Sequence, residues 1–220
     1  IMKISRRTAI GTGAMLAASG CFLRAHAEGR SLEGRSIVAK DFPSLQAAID
    51  SLSSTGGEVV IPPGSHTIEH PLNLTRKSGY GGALTLSGAG ASTVLVGRTK
   101  GQPVIDLTGS SHVSIRDLVI DAENLNAGDQ PGVGLLLARR MDAGSAQEHR
   151  FDNLIFRGHF KTACVYCITS ELNRFTRCIF INKAPRGHCF VFSSENFAGV
   201  QSPYLGKIKE NHSNTELRIE

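Results

Sequence analysis

Six basic side chains fall in two short blocks of similar spacing, Arg157, His159 and Lys161, then Lys183, Arg186 and His188. Arginine offers a planar fork of donors that fits a carboxylate, lysine a compact point charge, and histidine a group that exchanges a proton near neutral pH. On adjacent layers of one fold, the two blocks would form a positive stripe suited to an acidic polysaccharide. Otherwise they are solvated loop charges.

Other residue types capable of chemistry are less well spaced. Cys164 and Cys167 make a CxxC, which on a turn would serve redox work or zinc. On a strand, residues three apart point to opposite faces roughly 10 Å apart, so there the spacing is coincidental. His66 and His70 have the spacing of a helical metal pair but follow Pro62, Pro63 and Gly64 in a strand context, about 13 Å apart if extended. No metal ligand set is assigned. Asp121, Glu123, Asn124, Asn126 and Asp129 gather hard oxygens in one turn; such a loop could hold calcium, the competing reading being a solvated turn.

The elements that must position these residues are short. Leu45, Ala48, Ile49 and Leu52 fall on one helical face after Pro43 and Ser44, and Thr55, Gly56 and Gly57 stop it, giving a helix over 44–53. From there on, apolar runs are brief and alternating, punctuated by glycine or polar residues. They also repeat. RDLVI (116–120), DNLIF (152–156) and TRCIF (176–180) share one pattern at spacings of 36 and 24 residues. VIDL (104–107), GLLLA (134–138), CVYCI (164–168) and CFVF (189–192) interleave with them. Several short strands per repeat, without helices between them, describe coils of a parallel β-solenoid. In that arrangement Cys178 aligns with Leu118 and Leu154 as core filling. Cys189 falls one coil above Cys164, where strands about 4.8 Å apart lie within disulfide range; two buried free thiols are the preferred reading.

Composition narrows the class. With 40% hydrophobic and 20% charged residues, 24 glycines and no tryptophan, the chain excludes collagen, coiled coil and polytopic membrane protein. Residues 1–27 open with Lys3, Arg6 and Arg7, run through an apolar stretch and close on Ala25-His26-Ala27, a cleavage-type signal peptide. Ser5-Arg6-Arg7 with Gly11, Thr12 and Gly13 resembles a twin-arginine signal, the general secretory route being the alternative. Ala18-Ser19-Gly20-Cys21 resembles a lipobox, so a lipid-anchored form through Cys21 is a second option. The expected location is therefore the periplasm or the extracellular space, with no membrane span in the mature chain. Without the four basic residues of this segment the formal charge falls from +5 to +1, 20 basic against 19 acidic side chains. No nucleic-acid partner is expected on that balance.

The segment DFPSLQAAIDSLSSTGGEVVIPPGSHTI, 41–68, followed by LTLSGAGASTVLVG, 84–97, resembles the N-terminal cap and first coils of the right-handed parallel β-helix superfamily of pectate-lyase type. The resemblance covers about 41–193. It implies an all-β, right-handed parallel β-helix with an N-terminal capping α-helix over residues 44–220, after a linker at 28–43. The ending TELRIE, 215–220, reads as the start of a further coil, so a C-terminal cap is not recognisable. Asp117, Asn153 and Arg177 occupy equivalent positions, where the superfamily often stacks an asparagine ladder.

The resemblance also implies carbohydrate chemistry. In a lyase or epimerase a base removes the proton beside a uronate carboxylate while cations stabilise the developing enolate. Arg186, His188 and Lys161 are the candidates for those roles, with Arg157, His159 and Lys183 binding substrate; calcium is the cofactor to consider. Gly187-His188-Cys189 and Lys207-Ile208-Lys209 faintly resemble polygalacturonase motifs, but the aspartate motifs that should precede them are missing, which disfavours hydrolysis by paired carboxylates. The opening also resembles pectinesterases, whose glutamine and aspartate strand motifs are not found here. The alternative to an enzyme is a non-catalytic glycan-binding or scaffolding β-helix, or an incomplete piece of the enzyme.

Overall fold

A computed structural model describes residues 35–52, 56–74, 83–138, 147–168, 170, 172–193 and 218–219. All lie in one compact unit, Glu33–Glu220. Residues 1–27, read above as a signal peptide, with Cys21, and the Lys207-Ile208-Lys209 motif lie outside the described residues.

Short strands follow one another around three faces and then climb. The first coil comprises β2 (Gly57–Val60), β3 (Gly64–Ile68) and β4 (Leu72–Asn73), the second β5 (Leu84–Ser87), β6 (Thr93–Gly97) and β7 (Pro103–Asp106). In the third and fourth coils the first two faces are served by one bent strand, β8 (Val113–Ala122) and then β10 (Arg150–Gly158), followed by β9 (Val133–Ala138) and β11 (Ala163–Ile168). The fifth has β12 (Arg174–Thr176), β13 (Ile179–Asn182) and β14 (His188–Ser193), and β15 (Arg218–Ile219) begins the next turn. Every pairing between these strands is parallel and joins equivalents on successive coils. This is the expected right-handed parallel β-helix.

The two spacings read from the sequence are the two registers observed. Arg150 pairs with Ser114, 36 residues earlier, and with Arg174, 24 residues later. The difference lies between the strands: 10 and 11 residues separate them in the longer coil (after Ala122 and after Ala138), about 4 and 5 in the shorter one (after Gly158 and after Ile168). Strand lengths barely change, because inward side chains must sit over inward side chains.

Inside, Leu86, Ile115, Phe151 and Phe175 form one such inward column, and Leu95, Ile120, Phe156 and Phe180 another. The upper coils are filled by aromatics. Phe151 stacks on Phe175 with ring centroids 4.4 Å apart, Phe156 on Phe180 at 5.1 Å, and Phe190 meets Phe180 edge-on at 4.5 Å. Cys178 packs against this core as expected.

Two columns of left-handed residues fix the bends. His112, Glu148 and Leu172, with φ of 57°, 59° and 55°, precede the first face; Asp117, Asn153 and Arg177, with φ of 58°, 52° and 53°, follow it. The expected ladder position is therefore a bend, and its side chains do interact: the Asn153 amide donates to Asp117 Oδ1 at 2.8 Å.

The lower end is closed by the expected helix, α1 (Leu45–Ser51). Ser44 is its N-cap, its Oγ accepting from the Ala47 N–H at 3.1 Å. Ala48, Ile49 and Leu52 are buried over the core. Edge strand β4 is covered by a side chain: the Gln46 amide donates to the Asn73 carbonyl at 3.0 Å and accepts from the Asn73 N–H at 2.8 Å, as a further strand would. The linker reading of 28–43 needs correction over 36–41. There β1 (Ser36–Val38) pairs with β2, and a 3-10 turn (Ala39–Asp41) leads into α1. The open edge of β2 demanded a partner, and Ile37 and Val38 supply a short one.

Gln46→Ala removes both bonds to Asn73 and is expected to cost about 1–3 kcal/mol. Gln46→Leu, which preserves side-chain bulk, should lose a similar amount. Urea midpoints at unchanged m-value check this, and a shift confined to the alanine variant would assign the effect to packing instead.

Candidate functional site

The two basic blocks occupy the corner between the second and third faces. Gly158, at φ 112°, makes the first block possible: a Cβ there would lie 2.3 Å from the Ala122 carbonyl carbon. After it the chain leaves β10, and the His159 N–H donates to the Ala122 carbonyl at 3.1 Å. The second block is held by Asn182, which the sequence reading missed. Its amide donates to the carbonyls of Phe160 (2.9 Å) and His188 (3.0 Å), and its Oδ1 accepts from the N–H of Phe160 (3.2 Å) and Ala184 (3.0 Å). One side chain thus ties both blocks together. An asparagine at an inward position of TRCIFIN was the available signal.

The register differs from the simple pairing of the blocks. Arg157 lies beside Ile181, and the Lys183 N–H donates to the Gly158 carbonyl, which places Lys183 over His159. His188 pairs with Ala163, and Lys161 and Arg186 lie in the turns that lead into these two residues. The stripe is also not uniformly positive. Arg157 donates through Nε and Nη2 to Asp121 Oδ2, at 2.8 and 2.6 Å. Lys183 is bonded to Glu123 Oε1, and Glu123 also lies 3.9 Å from Arg157. The bond from Lys183 holds the Glu123 carboxyl below its usual range, assisted by the charges of Lys183, Arg157 and His159. Two carboxylates of the turn considered for calcium are thereby engaged by cations. His159, Lys161, Arg186 and His188 have no ion-pair partner among the described residues, and the last three are exposed.

Two of the four described cysteines lie on β11, which follows the first block, and a third on β14, which follows the second. The β11 pair, Cys164 and Cys167, are, contrary to the expected opposite faces, both buried in the main core. Cys189 sits one coil above Cys164, and all four described cysteines are free thiols. Contrary to the sequence reading, Cys189 is exposed. Burial, and after it the neighbouring Cys189, push the Cys164 thiol up to about 12; burial alone does the same to Cys167. His66 is part of β3, its ring nitrogen 2.9 Å from the Pro62 carbonyl, and His70 is exposed beyond the strand end.

A concave feature lies elsewhere, at the corner between the third and first faces. It is a cleft of about 490 Å³ whose lining includes His112, Glu148, His149, Arg150, Asn173 and Arg174. His112 Nε2 and Glu148 Oε2 are 2.7 Å apart. His149 is fully buried, with Nδ1 accepting from the Val113 N–H at 3.3 Å. Burial first, then the neighbouring His112, push its pKa down to about 3. No helix among the described residues is long and apolar enough to cross a membrane.

No protein-family model matches the chain, and no curated protein matches it. Among solved structures it is similar to an ORF18 protein of Geobacillus virus E2 (15% identity, TM-score 0.43, 68% of this chain and 43% of that one). It is also similar to the catalytic domain of a GH87 alpha-1,3-glucanase in complex with nigerose (15%, 0.46, 74% and 32%). A third is the A-module of a mannuronan C-5 epimerase from Azotobacter vinelandii (18%, 0.47, 82% and 62%). The chain spans less than two thirds of the length of each of these.

Two outcomes follow from the burial pattern. Peptide mapping after maleimide treatment of the native protein should find Cys189 labelled and Cys164 and Cys167 protected, all three reacting once urea is added. His149, with a folded pKa of about 3 against an ordinary value of 6.5, binds fewer protons folded than unfolded. Stability is then full above about pH 6.5 and falls toward pH 3, by at most about 1.4 kcal/mol per pH unit. Denaturant titrations at several pH values should show this slope, reduced in His149→Phe; an unchanged slope would place the acid sensitivity in other groups.

Proposed function

We propose that this protein is an exported, carbohydrate-active parallel β-helix that binds an acidic polysaccharide along the basic corner between its second and third faces. The modification proposed is lyase or epimerase chemistry. The observation that supports this reading is that Lys161 and Arg186 are exposed and without a carboxylate partner among the described residues, on the two turns that Asn182 ties together, with His188 two residues beyond Arg186. Arg157 and Lys183, the other cations of the corner, already share carboxylates with Asp121 and Glu123. They serve to build the edge, while Lys161, Arg186 and His159 meet the polymer.

The chemistry assigned to these groups begins at the carbon beside a uronate carboxylate. His188 takes the proton from that carbon, and the guanidinium of Arg186 with the ammonium of Lys161 stabilises the extra charge on the carboxylate oxygens. In a lyase the electron pair then forms a carbon–carbon double bond and the glycosidic oxygen leaves with its bonding electrons and gains a proton. In an epimerase a proton returns to the opposite side of the same carbon. Calcium, if used, would assist by screening the same carboxylate, and would have to compete with Arg157 and Lys183 for the oxygens of Asp121 and Glu123.

Incubation of the full chain with polygalacturonate, alginate or a glycosaminoglycan, with and without calcium, should give unsaturated uronate detected by ultraviolet absorbance, or inversion at the acidic carbon detected by NMR. Lys161→Ala, Arg186→Ala and His188→Ala are each expected to lower kcat/KM by about 100-fold or more. Retardation of these polymers in a native gel without conversion would assign a binding protein. Absence of both would sink the reading.

A further inference from the structure

The outer side of the first face carries charges on the third, fourth and fifth coils, and some of them are matched. Arg116 donates to Glu58 Oε1, two coils below, at 2.7 Å and lies 3.3 Å from Asp117. Arg177 grips Asp152 through two nitrogens, at 3.0 and 2.5 Å. Arg150 and Arg174 differ. They are exact register partners on β10 and β12, both exposed, and neither has an acidic partner among the described residues. Ser114 lies below them in the same column and Arg218 pairs above.

The pair stands over a cleft with unmet polar atoms. His149 and Asn173 occupy the neighbouring inward column, at 0% and 3% exposure, where the lower coils have Leu84 and Val113. Among the described residues, His149 Nε2 and Asn173 Oδ1 are buried without a hydrogen-bond partner, an arrangement that costs free energy unless something polar enters. Across the cleft the His112–Glu148 pair offers both a donor and an acceptor. Like charges held one coil apart, about 4.8 Å, beside unsatisfied buried polar groups, fit a ligand with repeated anionic groups and with hydroxyls between them.

We propose that this cleft is a second saccharide site, taking a short oligosaccharide with a carboxylate on each unit, successive carboxylates pairing with the forks of Arg150 and Arg174. The His112–Glu148 pair and Asn173 meet its hydroxyl groups. The site stands apart from the corner bearing Lys161 and Arg186 and needs no chemistry there.

The test uses the full chain with Lys161→Ala and Arg186→Ala, so that the basic corner is silent, titrated calorimetrically with trigalacturonate. Binding should persist in that background. Adding Arg150→Ala and Arg174→Ala should weaken it at least tenfold, and Arg150→Lys with Arg174→Lys should weaken it several-fold, because a point charge replaces a fork. The lysine pair also carries the test if the alanine pair fails to fold. A neutral galactose trisaccharide should not bind. The proposal is overturned if trigalacturonate does not bind once the corner is silenced, if the arginine replacements leave binding unchanged, or if inorganic sulfate binds as tightly, which would make it a simple oxyanion site. Loss of polymer conversion in the corner-silenced background bears only on the corner chemistry.

Discussion

Everything in this molecule depends on parallel strands meeting their equivalents in register, coil upon coil. The two left-handed columns, His112-Glu148-Leu172 and Asp117-Asn153-Arg177, enforce it by bracketing a four-residue strand of constant length on the first face. A one-residue slip would turn Phe151 outward and Arg150 inward. Asp, Asn and His tolerate this backbone region better than most side chains, whereas Glu148, Leu172 and Arg177 enter it at a cost. The aromatic stack beneath them opposes that cost, since Phe151 and Phe175 meet only when both corners turn at the same place.

Register also decides the electrostatics. A side chain has its equivalents about 4.8 Å above and below, so opposite charges in one column pair without further design, as Arg157 does with Asp121. Diagonal neighbours do so too, as in Arg177 with Asp152. At the surface, such pairs contribute little individually. Their consequence is local: they engage Arg116, Arg157, Arg177 and Lys183, and leave Arg150 and Arg174, stacked in register, and the turn residues Lys161 and Arg186 without a carboxylate partner among the described residues.

Much of the fold was legible because its signal is repetition. The inward residues of RDLVI, DNLIF and TRCIF recur at the observed spacings of 36 and 24, and the face Leu45-Ala48-Ile49-Leu52 announces the cap. The strand at Ser36–Val38 was not legible, since three residues carry no period and only the open edge of β2 calls for them. The basic blocks were found, but not their partners: Asp121 lies 36 residues before Arg157 and Glu123 lies 60 before Lys183, separations set by corner loops of unequal length. Arg150 and Arg174 escaped for another reason. They sit at the same 24-residue spacing as the apolar motif, one position before the phenylalanines that revealed it, and polar positions on an outer face leave no hydrophobic pattern.

The corners differ in what they can become. Where the first face passes to the second, the bend is one left-handed residue whose side chain is committed to it, as Asn153 is to Asp117. Where the second face passes to the third, loop length varies freely, and the order of the corner comes from side chains instead, through Gly158 and the four hydrogen bonds of Asn182. Such a corner can change its residues from coil to coil without disturbing the stack, which is what placing chemistry on a solenoid requires. Two like charges about 4 Å apart in water repel by only about 1 kcal/mol, so the parallel ladder suffices to hold Arg150 beneath Arg174 on the first face. The same repulsion vanishes when a carboxylate settles between them, and a polymer carrying one carboxylate per unit can offer it at successive coils.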